Sequence, residues 1–301
     1  MTSIVFFGTG PVAAASLDYI RRIFNIEAVV TKPRVPGFKG LTPVEELAKV
    51  HGYPTHFVTK RADLDELFHN TEFQSSLGIV VDFGIIISSD VIGRFHHGIV
   101  NSHFSLLPRW RGADPISYTI LSGDEKAGVS LMVIDEGLDT GKLITYKSIS
   151  MDPKETTATL TEKLIELSNE LIEAHLPRYL AGEVQPKTQP HPDRVTFSHK
   201  IHKSDAIVNW NEPAAVIERR VRAYQPWPQM RTTLAGIELI ITEANIVVAN
   251  DPVPGKITAE KSRLLVGTAE NWLEITKLKP SGKKEMPIQA FLAGYRQQLH
   301  N

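Results

Sequence analysis

Ser3-Ile4-Val5-Phe6-Phe7-Gly8-Thr9-Gly10-Pro11-Val12-Ala13 opens the chain with an apolar run, a Gly-x-Gly turn and the start of a helical pattern. Strand, tight turn and helix in that order are how a parallel α/β sheet begins. The pattern continues outward from there. Residues 26–31 read as a second strand, and residues 32–42 as a loop holding Lys32, Arg34 and Lys39 among Pro and Gly. Residues 43–51 read as a helix capped by Thr42. Residues 78–81 and the 85–87 region are apolar and β-branched, as buried strands should be. Residues 98–103, 128–134 and 143–149 read as further strands. Asp114-Pro115 supplies a cap and an N1 proline for a helix that Gly123 ends. Over residues 156–180, Leu160, Leu164, Leu167, Leu171 and Ala174 form one helical stripe. This alternation predicts an α/β domain over residues 1–184, a doubly wound and mostly parallel sheet of the Rossmann-like kind.

The pattern then changes. Residues 185–205 are polar, carry Pro186, Pro190 and Pro192, and read as a linker. Five short strands follow (229–234, 237–244, 255–259, 263–267 and 272–278), flanked by helices at 211–224 and 288–300. They predict a small OB-like β-barrel over residues 206–301. A length of 301 residues suits two domains, and 42% hydrophobic with 22% charged residues suits a globular chain. The net charge of −1 hides an asymmetry. Residues 195–301 carry 14 Lys/Arg against 10 Asp/Glu, and the remainder carries a net of −5. A basic C-terminal part suggests a polyanionic partner. The absence of cysteine excludes a thiolate nucleophile, a disulfide framework and a Cys-based zinc site. No apolar stretch reaches the roughly 18–20 residues that span a bilayer. No basic leader precedes an apolar run at the start. A cytoplasmic protein is expected.

Several residues could carry chemistry. Gly8-Thr9-Gly10-Pro11-Val12-Ala13 fits G-x-G-x-x-A, either a dinucleotide site or a tight turn. The second strand ends Thr31-Lys32-Pro33 without an acid for a ribose hydroxyl, although Lys32 and Arg34 could meet a 2′-phosphate. Asn101 and His103 stand two apart at a strand end, so they share a face. An amide and an imidazole there could stabilise an oxyanion, or could cap a turn. Asp139, between Gly137 and Gly141, could favour and orient an imidazolium and relay a proton. Ser105, Leu106, Leu107 and Pro108 offer backbone polar groups and apolar side chains suited to a flat heterocycle. His96-His97 and His199/His202 lack the further ligands of a metal site, so no metal is expected.

Asn101-Ser102-His103-Phe104-Ser105-Leu106-Leu107-Pro108-Arg109-Trp110-Arg111-Gly112-Ala113-Asp114-Pro115, with Gly137-Leu138-Asp139-Thr140-Gly141, closely resembles the 10-formyltetrahydrofolate-dependent formyltransferases. Arg222-Ala223-Tyr224-Gln225-Pro226-Trp227-Pro228 and Leu278-Lys279-Pro280-Ser281-Gly282-Lys283-Lys284 resemble the branch that acts on methionyl-tRNA. The resemblance covers nearly the whole chain. It implies direct transfer of the formyl group of 10-formyltetrahydrofolate to the α-amine of initiator methionyl-tRNA. Asn101, His103 and Asp139 would be catalytic. Ser105, Leu106, Leu107 and Pro108 would line the folate site. Lys32, Arg34, Lys39, Lys256, Lys261, Lys283 and Lys284 would meet the tRNA of a monomeric enzyme. Gly8-Thr9-Gly10 becomes a tight turn, with no NAD(P) and no metal. The chain departs from the family pattern twice. The loop at residues 32–41 is short, and Asp82-Phe83-Gly84 stands where an Ala-Tyr-Gly type sequence is common.

Overall fold

A computed structural model of the chain describes residues 1–35, 37, 39–260 and 262–299. It divides into two compact units, one of residues 1–115, 126–150 and 161–199, the other of residues 116–125, 151–160 and 200–301.

The first unit begins with β1 (Ser3–Gly8), α1 (Gly10–Ile20), β2 (Asn25–Thr31), α2 (Pro43–His51), β3 (Thr55–Phe57), α3 (Arg61–Asn70), β4 (Leu77–Val81), α4 (Ser89–Ile92) and β5 (Ile99–His103). After β6 (Arg111–Gly112) the chain runs through α5 (Pro115–Ser122), which falls in the second unit apart from Pro115. It returns as β7 (Lys126–Val133), β8 (Leu143–Ser150), the long α6 (Thr157–Leu180), whose first turn also belongs to the second unit, and the short β9 (Phe197–Ser198). Seven strands form one sheet in the order β3-β2-β1-β4-β5-β7-β8. The first five are parallel, and β7 and β8 are antiparallel. The strand order reverses between β1 and β4, the position at which open α/β sheets hold ligands beyond their carboxyl ends. β1 and β4 are buried almost throughout, as strands covered on both faces must be. On one face Phe7 packs against Phe68 and Phe83, with ring centroids 6.0 and 5.6 Å apart. Helix α2 starts where the sequence placed it. Thr42 and Glu45 exchange a capping box, and Gly52 closes the helix at φ 71.

Two differences from the sequence reading matter. Residues 85–87 form a loop, with Ile86 70% exposed. Asp82 (φ 48) and Gly84 (φ 64) turn the chain off the sheet before those apolar residues could pair. β3 and α3 were not foreseen, because α3 buries only Leu64 and Phe68 and gives little periodic signal.

The second unit is built on β10 (Met230–Leu234), β11 (Ile237–Val247), β12 (Ile257–Glu260), β13 (Arg263–Gly267) and β14 (Trp272–Pro280). They pair antiparallel in the order β10-β11-β14-β13-β12, and β15 (Met286–Pro287) adds to β14. Ala235 and Gly236 both take positive φ, which the tight β10–β11 hairpin requires. Helices α7 (Ala214–Ala223) and α8 (Ile288–Leu299) pack on this sheet through Ile217, Val221 and Phe291, all buried.

Candidate active site

Strand β5 ends in Asn101-Ser102-His103, and its alternation sends Asn101 and His103 to one face. Ser102 faces the other way, its hydroxyl 2.7 Å from that of Ser168 on α6. Asn101 is half-buried and His103 buried. The Nε2 atom of His103 lies 2.9 Å from the Trp110 carbonyl oxygen. A carbonyl only accepts, so Nε2 carries the hydrogen and the neutral ring leaves Nδ1 bare. Nδ1 faces Asp139 Oδ2 at 3.7 Å. That is too long for a hydrogen bond and short enough for charge to matter.

Asp139 is anchored independently of the imidazole. Its Oδ2 accepts the Gly112 N–H at 2.7 Å, and its backbone takes φ 51. Gly112 sits at φ 118, and a Cβ there would lie 2.3 Å from the Ser198 carbonyl oxygen. Only glycine allows this close approach. Residues 196–198 hold the same segment: Arg111 N–H donates to Thr196 O, Ala113 N–H to Ser198 O, and Trp110 N–H to Thr196 Oγ1. Gln189 ties the two loops together. Its Nε2 donates to the carbonyls of Asp139 (2.7 Å) and Gly141 (2.9 Å), while its Oε1 accepts from Arg111 (2.7 Å). Thr196, Ser198 and Gln189 all fall in the stretch read from sequence as linker.

The run after His103 folds into a turn with a cis Leu107–Pro108 peptide. Ser105 Oγ donates to Arg109 O at 2.6 Å. Ser130 Oγ donates to Ser105 O and accepts the Leu107 N–H. Leu107 packs with Met132 and Leu143. Ser105, Leu107 and Pro108 are buried and Leu106 half-buried.

A second charged group lies at the strand-order reversal. Asp82 follows β4 directly, and its carbonyl accepts the Thr9 N–H at 2.9 Å. Its carboxyl is open to solvent yet crowded by protein, and that crowding pushes its pKa up to about 6. Lys32 opposes the rise and Asp114 reinforces it. Lys32 Nζ donates to the Gly84 carbonyl at 2.9 Å.

The basic residues separate into groups. Arg34 bonds Gly40 O and Glu45, and Lys32 is occupied as just described. Lys39, Lys256, Lys283 and Lys284 are exposed. Lys261 lies outside the described residues. His97 bonds Ser76 through Nδ1 at 3.1 Å. Among the described residues no group of three or more His, Asp or Glu could hold a metal ion, and no helix is long and apolar enough to cross a membrane.

Sequence reasoning named Asn101, His103 and Asp139 but missed the Trp110 carbonyl, the Gly112 N–H and Gln189. Backbone groups leave no mark in a sequence, and a lone Gln among prolines carries no periodic signal.

Residues 2–176 match the family described as formyl transferase, and residues 200–296 match the formyl transferase C-terminal domain. The methionyl-tRNA formyltransferase of Myxococcus xanthus is 38% identical over 298 residues, covering 97% of this chain and 95% of the relative. That of Methylococcus capsulatus is 37% identical over 299 residues, covering 96% of each. Among solved structures, WlaRD, a sugar 3N-formyl transferase, superposes with a TM-score of 0.68 at 19% identity, covering 94% of this chain and 99% of that one. At that identity the likeness speaks to the fold alone.

Proposed function

We propose that this chain, which belongs to the formyl transferase family, moves the formyl group of 10-formyltetrahydrofolate onto the α-amine of initiator methionyl-tRNA. One observation carries the reading. An imidazole with one nitrogen bonded to a carbonyl turns its other nitrogen toward an anchored carboxylate, beside a half-buried amide at a strand end.

The amine nitrogen attacks the formyl carbon and gives up a proton, which Asp139 helps to move, directly or through water, and the C–N10 bond breaks as N10 takes a proton. Between these events the formyl oxygen carries negative charge. Asn101 donates an amide N–H to it, and the protonated His103 donates through Nδ1. Each such donor is worth about 3–4 kcal/mol of barrier. Asp139 balances the charge of the imidazolium, while the Trp110 carbonyl fixes the ring. Ser105, Leu106, Leu107 and Pro108 form the wall beside the folate ring, the buried three setting the turn and the Leu106 side chain lying over Gly128. Lys39, Lys256, Lys283 and Lys284 contact tRNA phosphates. Lys32 and Arg34 contribute less, because protein groups already engage them. The enzyme works as a cytoplasmic monomer, without metal or nicotinamide.

The test is a formyl-transfer assay offering methionyl-initiator-tRNA and an amino-sugar nucleotide side by side. Transfer to the charged tRNA alone is expected. Transfer only to the sugar nucleotide, or to neither, would overturn the reading.

A further inference from the structure

His103 cannot perform two opposite tasks at once. To meet a developing oxyanion it must be protonated, and to take a proton from an incoming ammonium it must not be. Its Nε2 is committed to the Trp110 carbonyl, so Nδ1 is the one nitrogen left for either task. An acceptor amine that arrives protonated needs another base.

Asp82 stands at the neighbouring strand end. Val80 of β4 pairs with Asn101 of β5, so Asp82 leaves β4 at the level of His103 on the next strand. On its other side lies the start of α1, for a Cβ at Gly10 would be 3.5 Å from Asp82 Oδ2. The carboxyl therefore sits between β1 and β5, at the strand-order reversal. Its φ of 48 holds it off the strand. It is water-accessible and yet crowded by protein, the combination expected of a cleft wall. The charged groups that face it are Lys32, from the loop after β2, and Asp114, from the segment before α5.

We propose that the Asp82 carboxylate binds the α-ammonium of the acceptor and takes one proton from it before the amine attacks the formyl carbon. The N–H bond breaks, an O–H bond forms on Asp82, and the freed nitrogen lone pair becomes the nucleophile. The raised carboxyl lies about two units below an ordinary α-amine, close enough for proton transfer to be accessible. The inference rests on the formyl-transfer reading above.

The experiment compares the full chain with its Asp82→Asn and Lys32→Met variants over pH 5.5–8.5. Initial rates are measured against methionyl-tRNA and 10-formyltetrahydrofolate separately, and dissociation constants are measured for methionyl-tRNA and N-formylmethionyl-tRNA. Asp82→Asn is expected to lower kcat/KM for the charged tRNA by about 100-fold, in the range of general-base effects. Its KM for the folate should not change, and any preference for the ammonium-bearing tRNA over the formylated one should vanish. Lys32→Met should move the acid limb of the wild-type profile to higher pH, because the carboxylate loses its facing cation. That variant keeps Asp82, so it remains decisive should Asp82→Asn fold poorly. An Asp82→Asn rate within twofold of wild type, a loss confined to the folate KM, or an acid limb unmoved by Lys32→Met would overturn the proposal. A wild-type protein that formylates no methionyl-tRNA would instead overturn the functional reading on which it rests.

Discussion

Replacing Asp139 with Asn removes a charge while keeping a shape. The carboxylate lies 3.7 Å from His103 Nδ1, and its side chain is only 13% exposed. Coulomb's law at that distance, with an effective dielectric of about 20, gives roughly 4 kcal/mol of attraction for an imidazolium. This attraction exists only for an imidazolium, which the proposed mechanism forms as the formyl oxygen becomes negative, so its loss should fall on kcat. At about 1.4 kcal/mol per decade the ceiling is near 1,000-fold. Some screening by water brings the expected loss to about 100- to 1,000-fold. The Asn carbonyl can still accept the Gly112 N–H that now reaches Oδ2 at 2.7 Å, so the loop should keep its place. The assay is steady-state formyl transfer with both substrates varied, alongside thermal unfolding. A loss under tenfold at an unchanged unfolding midpoint would refute the electrostatic argument. A loss accompanied by a large fall in that midpoint would show that Asp139 acts through structure.

Gln189→Leu should strand the carbonyls of Asp139 and Gly141 and the Arg111 guanidinium, costing about 2–4 kcal/mol and lowering turnover; an unchanged unfolding midpoint would contradict this. Gly112→Ala should be worse, since its Cβ would meet Ser198 O at 2.3 Å, and equal expression and turnover to wild type would count against that geometry. The folded-state pKa of Asp82 is raised from 3.8 to about 6, so the protonated form favours folding. Its contribution is fully present below about pH 4 and is lost as pH rises through 6. Asp82→Asn should therefore raise the unfolding midpoint relative to wild type at pH 7.5 but not at pH 3.5, and an equal effect at both would remove the carboxyl as the cause. Alanine at Lys39, Lys256, Lys283 or Lys284 should each reduce the salt slope of tRNA affinity by about one, and Arg34→Ala by less; a flat salt response in the parent would end the phosphate-contact reading.

The parts of the fold legible in sequence were those fixed by short-range physics. The Thr42 cap of α2, the leucine stripe on α6 and the β10–β11 turn each follow from residues a few positions apart, although Ala174, read as part of that stripe, is exposed. Strand alternation likewise placed Asn101 and His103 together, because side chains two apart share a face whatever the strand later pairs with. The apolar residues 85–87 misled for the same reason. Their composition suits a strand, but the turn at Asp82 and Gly84 had already left the sheet.

Everything that joins residues far apart was decided by the tertiary structure. Asp139 follows His103 by 36 positions and reaches it because β5 pairs with β7, which starts the chain toward the Asp139 loop. The ring nitrogen that stays open is set by the Trp110 carbonyl, and Asp139 is held by the Gly112 N–H. Gln189 fastens both loops from a stretch that looked like linker. Backbone groups are the same in every residue, so their pairing is chosen by sheet order and packing. The sequence by itself determined the strand end that presents Asn101 and His103 on one face and the Gly137–Gly141 stretch that carries Asp139. The fold decided their distances, the direction of each hydrogen bond, and the placing of Asp82 beside the same strand end.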